Sequence, residues 1–300
     1  MILVLRALGI GDLATAVPAL RGLRRAHPGD EIRLAAPNWL APLARLVEAV
    51  DQLVPADGVA GPPEAQVAWP PPAPRIAVNL HGRGPQSHQL LATAHPDQLL
   101  GFACPPAGHR DGPSWTEDEH EIDRWCRMLG WYGIPADRGD LRLAVPRQGV
   151  VPRLTIVHPG AKAPARRWQI GRYAAVAHEL SKAGHHVVVT GSLSERTLAG
   201  RVAELAGLPD SAVIAGRTGL TQLAGLVARA RLVISGDTGI GHLATAYGTP
   251  SVLLFGPVSP QRWGPPPDRP QHRALWHGPD GLTTITVDEV LAAVAEPVPS

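Results

Sequence analysis

The stretch Ser235–Pro257, SGDTGIGHLATAYGTPSVLLFGP, joins a buried strand, a glycine-rich turn, a helix start and a second buried strand. Just upstream, Leu232, Val233 and Ile234 form an apolar run of strand character, and Asp237 and Thr238 stand where the following helix needs a cap. Gly236, Gly239 and Gly241 remove side chains where a ligand has to approach the backbone. Free N–H groups at such a helix start carry partial positive charge, so the arrangement suits an anion, a phosphate above all. A glycine-rich turn of this kind is also a common packing joint of α/β sheets, and context decides between the two.

Two more strand-to-loop junctions supply that context. In LTIVHPGAKAPARRW, Leu154–Trp168, Pro159 and Gly160 end a strand and Lys162, Arg166 and Arg167 bring cations just beyond it. In ILVLRALGIGDLATAVPAL, Ile2–Leu20, a strand over Ile2–Leu5 leads through Gly9 and Gly11 to Asp12 at a helix start.

These segments resemble glycosyltransferase family 9, the bacterial heptosyltransferases and their relatives. The resemblance rests on the G-D-x-x-x-x-x-P-A-L stretch at Gly11–Leu20, H-E-x-D-R at His120–Arg124, and H-P-G-A at His158–Ala161 with its basic-x-W at Arg166–Trp168. It continues in A-G-R-T-x-L at Ala215–Leu220 and D-[ST]-G-x-x-H-L-A at Asp237–Ala244. The resemblance implies an α/β protein of the GT-B fold, two Rossmann-like parallel-sheet domains facing a cleft. An acceptor-binding domain would span 1–145 and a nucleotide-sugar-binding domain 146–300, with the last helix crossing back onto the first.

Composition agrees and decides little. Three hundred residues suffice for two domains with cores of their own, and 44% hydrophobic content suits a water-exposed α/β protein. A formal charge of +2 gives no whole-protein reason to invoke nucleic acid as a partner. The 13 histidines include no pair at metal-binding helical spacing, and the two cysteines make neither a zinc knuckle nor a disulfide framework. Cys104 and Cys126 therefore read as reduced thiols of a cytoplasmic protein. Arg6 and Asp12 interrupt the apolar N-terminus, and no run of about 20 apolar residues occurs, so contact with a membrane is expected to be peripheral at most.

Alternation of period gives strands near 2–6, 31–36, 52–55, 75–80 and 98–103 in the first half, and helices near 12–26, 39–48 and 116–132. Leu13, Val17, Leu20 and Arg24 recur at turn spacing along the helix at 12, and Thr116 and Glu119 have the spacing of a capping box. Pro135–Arg153 reads as a linker, and Gly58–Pro74 and Pro257–Pro270 as proline- and glycine-rich connections. Strands near 154–158, 185–190, 212–215, 231–235 and 250–255 follow, alternating with helices near 171–183, 194–206, 219–229 and 238–247, and Thr286 and Glu289 open a last one. Such alternation implies right-handedly wound parallel sheets with ligands at the carboxyl ends of strands.

Each candidate residue carries two readings. Asp12 is either a helix cap or, as the resemblance implies, the general base that deprotonates an acceptor hydroxyl. Arg6 is either a strand-end charge or a group that keeps Asp12 ionised and meets an acidic acceptor. The resemblance assigns Arg166 to the donor diphosphate, with Lys162 as a less certain third cation and Arg167 either a helper or a surface charge. Thr238 and Gly239 would meet the diphosphate through the helix start, His242 a phosphate, and Glu195 the nucleoside. Asp237, a carboxylate next to phosphates, either caps the helix or accepts hydrogen bonds from donor hydroxyls. In NLHGRGPQSHQLL, Asn79–Leu91, the side chains of His81, Arg83 and His88 converge at a strand end and suit either acceptor recognition or a polar surface loop.

The reaction implied by resemblance is direct displacement with inversion at the anomeric carbon. A nucleotide-sugar donor, ADP-heptose by preference, passes its sugar to a glycan, lipid-linked or small-molecule acceptor. No D-x-D pair suited to Mg²⁺ occurs, and no metal or other cofactor is expected. The rival readings are an epimerase or hydrolase of the same layout, which would need an acid/base pair in place of an acceptor site, and a non-catalytic nucleotide-sugar-binding protein.

Overall fold

A computed structural model of the chain describes residues 1–57, 67–147 and 153–296. The chain divides into two compact units, Met1–Ala144 and Val145–Ser300. Part of the Gly58–Pro74 connection and part of the Pro135–Arg153 linker lie outside the described residues.

The first unit is built on β1 (Ile2–Leu5), β2 (Ile32–Ala36), β3 (Gln52–Pro55), β4 (Ile76–Asn79) and β5 (Gln98–Leu100), all parallel in the order β3-β2-β1-β4-β5. Strand order reverses between β1 and β4, and ligands of open α/β sheets bind beyond the carboxyl ends at such a point. Both central strands are buried on both faces, which is why they read as continuous apolar runs. The single helix expected near 12–26 is two, α1 (Ile10–Thr15) and α2 (Val17–Ala26), because Pro18 falls in the first turn of the second and has no N–H to extend the first. α3 (Ala41–Leu46) and α4 (Gln86–Ala92) follow, and α4 takes up Ser87 and His88, which the sequence reading left in a polar strand-end segment.

α5 (Glu121–Trp131) starts later than expected, and the capping box at Thr116 and Glu119 does not form. Instead His120 caps the helix, its Nδ1 accepting from the N–H of Ile122 at 3.2 Å. The physical reason lies in Arg124. Its guanidinium takes hydrogen bonds to the carbonyl oxygens of Thr116, Glu117 and Glu119 at 2.9–3.1 Å, wrapping that segment around itself and leaving those carbonyls no helical partners.

The second unit carries β6 (Thr155–His158), β7 (Val187–Val189), β8 (Leu232–Gly236), β9 (Ser251–Leu254) and β10 (His272–Leu275), parallel in the order β10-β9-β8-β6-β7. Its helices are α6 (Ile170–Lys182), α7 (Arg196–Leu205), α8 (Leu220–Ala228), α9 (Gly239–Tyr247), the short α10 (Pro260–Trp263) and α11 (Val287–Ala295). The strand expected near 212–215 shrinks to one bridge between Val213 and Val189, since the tight turn Asp210–Ala212 uses the residues before it. β10 and α10 were not foreseen, because prolines dominate the sequence around them.

Thr286 and Glu289 form a capping box, and within the second unit α11 packs on α6 and β9. Its Val290 and Ala293 are buried in the same core as Val176, Leu180 and Val252, so its apolar face is already used. Among the described residues no helix is long and apolar enough to cross a membrane.

Candidate functional site

In the first unit, Arg6 follows β1 directly at the point where strand order reverses, and its side chain is only 1% exposed. Nη1 donates to the carbonyl of Leu80, the residue after β4, at 2.5 Å, and Nε donates to the carbonyl of Asp12 at 3.0 Å. Nη2 donates to Glu121 Oε1 at 2.8 Å and to Thr15 Oγ1 at 3.3 Å, with Asp12 Oδ1 at 3.5 Å. Its guanidinium carbon lies 4.8 Å from the centre of the Trp125 ring. One buried cation thus ties β1, β4, α1 and α5 together. Glu121 also pairs with Arg124 and accepts from Trp125 Nε1 at 2.9 Å. Burial pushes the Glu121 carboxyl up, but the charge and hydrogen bond of Arg6, with Arg124 and Trp125, outweigh it and hold the group below its ordinary value.

Asp12 is not the helix cap. Gly9 occupies that place, and Asp12 sits three residues inside, its Oδ2 accepting from the N–H of Gly9 at 3.0 Å. The side chain is 25% exposed and Oδ1 faces Arg6, so an ionised carboxylate at the strand end remains reachable from solvent. His81 joins this group. Its Nδ1 accepts from the N–H of Ala7 at 3.2 Å, and burial, reinforced by the Arg6 charge and opposed by Asp12, lowers its pKa to about 4.

The other two candidates of that segment are elsewhere. His88 is buried, with Nδ1 3.0 Å from the amide of Asn79 and Nε2 2.9 Å from the carbonyl of Phe102, so both ring nitrogens are occupied within the core and neither can meet an acceptor. Arg83 is 65% exposed and pairs with Glu117 at 2.7 Å. Asn79 organises the turn: its side chain accepts from the N–H of His81 and donates to Gly82 O and Ser87 Oγ.

In the second unit the strand order reverses between β6 and β8, and the loops after these two strands carry the donor-site candidates. Arg166 ends a tight turn, Pro164–Arg166, and its Nη1 lies 3.4 Å from Asp237 Oδ2, just beyond β8. Gly236 lets the two loops meet, since a Cβ there would stand 3.0 Å from the carbonyl oxygen of Arg166. Asp237 is 8% exposed and also faces His242 Nε2 at 3.8 Å, while Arg166 is 43% exposed. The carboxylate that looked repulsive toward phosphates is therefore met by a cation and an imidazole. The edge of Trp263 packs on the His242 ring with centroids 5.8 Å apart.

Thr238 is the N-cap residue of α9, as the sequence reading allowed, but its Oγ1 is buried without a partner and no side chain caps the helix. Gly239 begins the helix, so the start of α9 lies beside Arg166, Asp237 and His242. Glu195 lies after β7 in the turn Leu193–Glu195, and its Oε2 accepts from the N–H and hydroxyl of Ser192, each at 2.8 Å. Burial raises its pKa, but those bonds, with His158 and Arg167, bring it below the ordinary value. Lys162 is exposed on the same loop as Arg166. Arg167 donates from Nε to the carbonyl of Ala161 at 2.9 Å, so it holds the loop's shape.

Sequence reasoning missed Glu121, His158 and Trp263. The first two stood inside quoted motifs, H-E-x-D-R and H-P-G-A, and His158 Nδ1 lies 2.8 Å from Thr190 Oγ1 at the end of the neighbouring strand. Trp263 had no motif around it. Among the described residues no three His, Cys, Asp or Glu side chains gather as a metal site.

Two sheets of this kind, each bearing its polar cluster at the carboxyl ends where strand order reverses, have the GT-B fold of the solved structures that superpose on them. Residues 134–280 match the family described as glycosyltransferase family 9 (heptosyltransferase). The chain is 25% identical to lipopolysaccharide heptosyltransferase 2 of Salmonella typhimurium over 86% of this chain and 83% of that one, and 26% identical to the same enzyme of Escherichia coli K12 over equal shares. Lipopolysaccharide heptosyltransferase 1 of Pseudomonas aeruginosa is 37% identical over 47% of this chain and 41% of its own length. Among solved structures, a family 9 glycosyl transferase of Veillonella parvula superposes with a TM-score of 0.79, at 21% identity and coverage of 98% of this chain and 95% of that one. The Escherichia coli ADP-heptose lps heptosyltransferase II follows at 0.75, 22% identity and coverage of 98% and 97%.

Removing Glu121 leaves buried Arg124 without its carboxylate and Arg6 with only the more distant one of Asp12, so Glu121→Ala should cost about 3 to 5 kcal/mol of stability. Urea unfolding measures it, and a loss below about 1 kcal/mol would show the network to be dispensable.

Stability should also depend on pH through the histidines. His81, His88 and His272 are each lowered by burial to about 4 from 6.5. Between those values the unfolded chain binds protons that the folded chain refuses, so stability is full above 6.5 and is lost as pH falls toward 4. Denaturation midpoints at a series of pH values should decline across that window. A flat profile there would contradict neutral burial.

Proposed function

We propose that this glycosyltransferase is an inverting, metal-independent heptosyltransferase that takes heptose from ADP-heptose and passes it to a hydroxyl of a glycan or lipid-linked acceptor, a lipopolysaccharide core being the first candidate. The observation that carries the reading is the cluster of Arg166, Asp237 and His242 at the uncapped start of α9. A partly exposed guanidinium beside an uncapped helix start suits a nucleotide diphosphate, whose charge grows as the glycosidic bond breaks. The similar solved structures support the donor: one is an ADP-heptose lps heptosyltransferase, and others are heptosyltransferases with ADP and with ADP-2-deoxy-2-fluoro heptose.

In this reading the second unit binds the donor. Arg166 and the N–H groups from Gly239 onward hold the diphosphate, with Lys162 available from the same loop, His242 reaches a phosphate, and Glu195 accepts hydrogen bonds from the ribose. Asp237 keeps Arg166 and His242 in place and accepts from donor hydroxyls. The first unit binds the acceptor. Asp12 Oδ1 removes the proton from the attacking hydroxyl, that oxygen forms the new bond to the anomeric carbon from the face opposite the leaving group, and ADP departs with the bonding pair. The positive charges of Arg166 and the helix start supply the charge stabilisation that a divalent cation gives elsewhere. We assign the protein to the cytoplasm, with at most peripheral contact to a membrane that holds a lipid-linked acceptor.

Asp12→Asn deletes the base and keeps an oxygen for the Gly9 N–H, so the variant should fold and bind donor while losing roughly 10²- to 10⁴-fold in turnover. Calorimetry with ADP and steady-state kinetics measure the two separately. Early melting with turnover per folded molecule intact would reduce Asp12 to a helix-start residue, and a UDP-sugar preference in the same calorimetry would sink the donor assignment.

Arg166→Ala should raise the donor KM and lower kcat together, because the cation meets both the resting diphosphate and the leaving group. Unchanged kinetics would transfer the role to Lys162. Product analysis by mass spectrometry tells transfer from epimerisation or hydrolysis of the donor.

A further inference from the structure

We infer that His81 is a neutral hydrogen-bond donor to the acceptor, giving its Nε2–H to a sugar oxygen next to the hydroxyl that Asp12 deprotonates. The inference rests on the proposed transferase reading and adds to it a second acceptor-binding group with a fixed chemical sense.

The argument starts from the backbone. The loop Arg6–Gly9 leaves β1 at the reversal of strand order, and two side chains grip its amides: His81 Nδ1 takes the N–H of Ala7, and Asp12 Oδ2 takes the N–H of Gly9. A backbone N–H can only donate, so Nδ1 of His81 is the acceptor nitrogen of a neutral ring and the proton sits on Nε2. Among the described residues Nε2 has no hydrogen-bond partner, and it is not among the buried polar atoms left unsatisfied. The half-buried ring is held from behind, because the N–H of His81 is fixed by Asn79 Oδ1 at 3.0 Å and Asn79 is itself locked through Ser87 and His88. His81 is therefore a pre-set donor at the same loop where Asp12 is a pre-set acceptor.

Opposite senses on one loop match one chemical pattern. A hydroxyl that loses its proton must donate to Asp12, and a neighbouring oxygen on the same sugar ring is then free to accept from His81. The two groups hold amides only two residues apart, Ala7 and Gly9, so neighbouring oxygens of one sugar can be offered to both. A protonated imidazole could not play this part, since it would lose the Ala7 bond. The Arg6 guanidinium nearby disfavours that charge. His81 is for the same reason a poor general base, which leaves proton removal to Asp12.

Two substitutions separate the near and far nitrogens. His81→Asn keeps a short-reach oxygen for the Ala7 N–H and loses the far donor, whereas His81→Gln places an amide N–H near the Nε2 position. With ADP-heptose and heptose-deficient lipopolysaccharide, and with simple alkyl glycosides as further acceptors, His81→Asn should raise the acceptor KM about five- to tenfold, as one hydrogen bond is worth, with the donor dissociation constant unchanged. His81→Gln should recover most of that loss. Thermal midpoints of both variants guard against a folding defect.

An acceptor KM in His81→Asn equal to that of the wild type would overturn the inference while leaving the transferase reading intact. So would an imidazole ¹⁵N spectrum of the wild type with the His81 proton on Nδ1, a result that needs no acceptor at all. A wild-type protein that transfers sugar from ADP-heptose to no acceptor would overturn the transferase reading, and this inference with it.

Discussion

The first unit depends on a charge placed where charges are costly. Arg6 emerges from the most central strand into the interior, and a guanidinium there is tolerable only when every N–H has an acceptor and the charge has an anion. Glu121 supplies the anion, which obliges α5 to begin at that point, and Arg124 then gathers the carbonyls of the segment before it. The arrangement of helix, strand ends and loop follows from satisfying one ion. Asp12 inherits its orientation from it, with its backbone carbonyl and one carboxylate oxygen turned toward the same guanidinium.

The second unit reaches a similar outcome by packing. Trp168 is buried against Tyr173 at a centroid distance of 5.0 Å and donates to the carbonyl of Ile285 at 3.0 Å, so the loop that bears Arg166 ends in an anchored indole. Its other side rests on Gly236, where there is no side chain to hold it off. Arg166 itself stays half-exposed, its tip facing Asp237 and its root fixed by the loop.

Much of this was legible in the sequence, and the reason is physical. The parallel sheets announced themselves because strands buried on both faces read as short apolar runs, as in Ile2–Leu5 and Leu232–Ile234, and the glycine-rich junctions fell at their carboxyl ends. Asp12, Arg166, Asp237 and Glu195 could be placed at strand ends and helix starts because motif spacing constrains the backbone that carries them. The segment around His88 misled because polarity was taken as exposure: a histidine, an asparagine and a serine that satisfy one another in the interior look, in one dimension, like a surface loop. Glu121 hid for the converse reason, since its partner lies more than a hundred positions away and no local pattern points to Arg6.

The seat of Glu195 is made of missing atoms. A Cβ on Gly160 would stand 2.2 Å from Oε1 of that carboxylate, and one on Gly191 would stand 3.1 Å from its Cβ. Neither glycine has the positive φ that would make it a hinge residue, so what they contribute is vacant volume. The same carboxylate closes the turn at Ser192 that launches α7. The placing of a carboxylate at the end of β7 and the folding of α7 are consequently under one lock, and evolution cannot tune the one by enlarging a neighbour without disturbing the other.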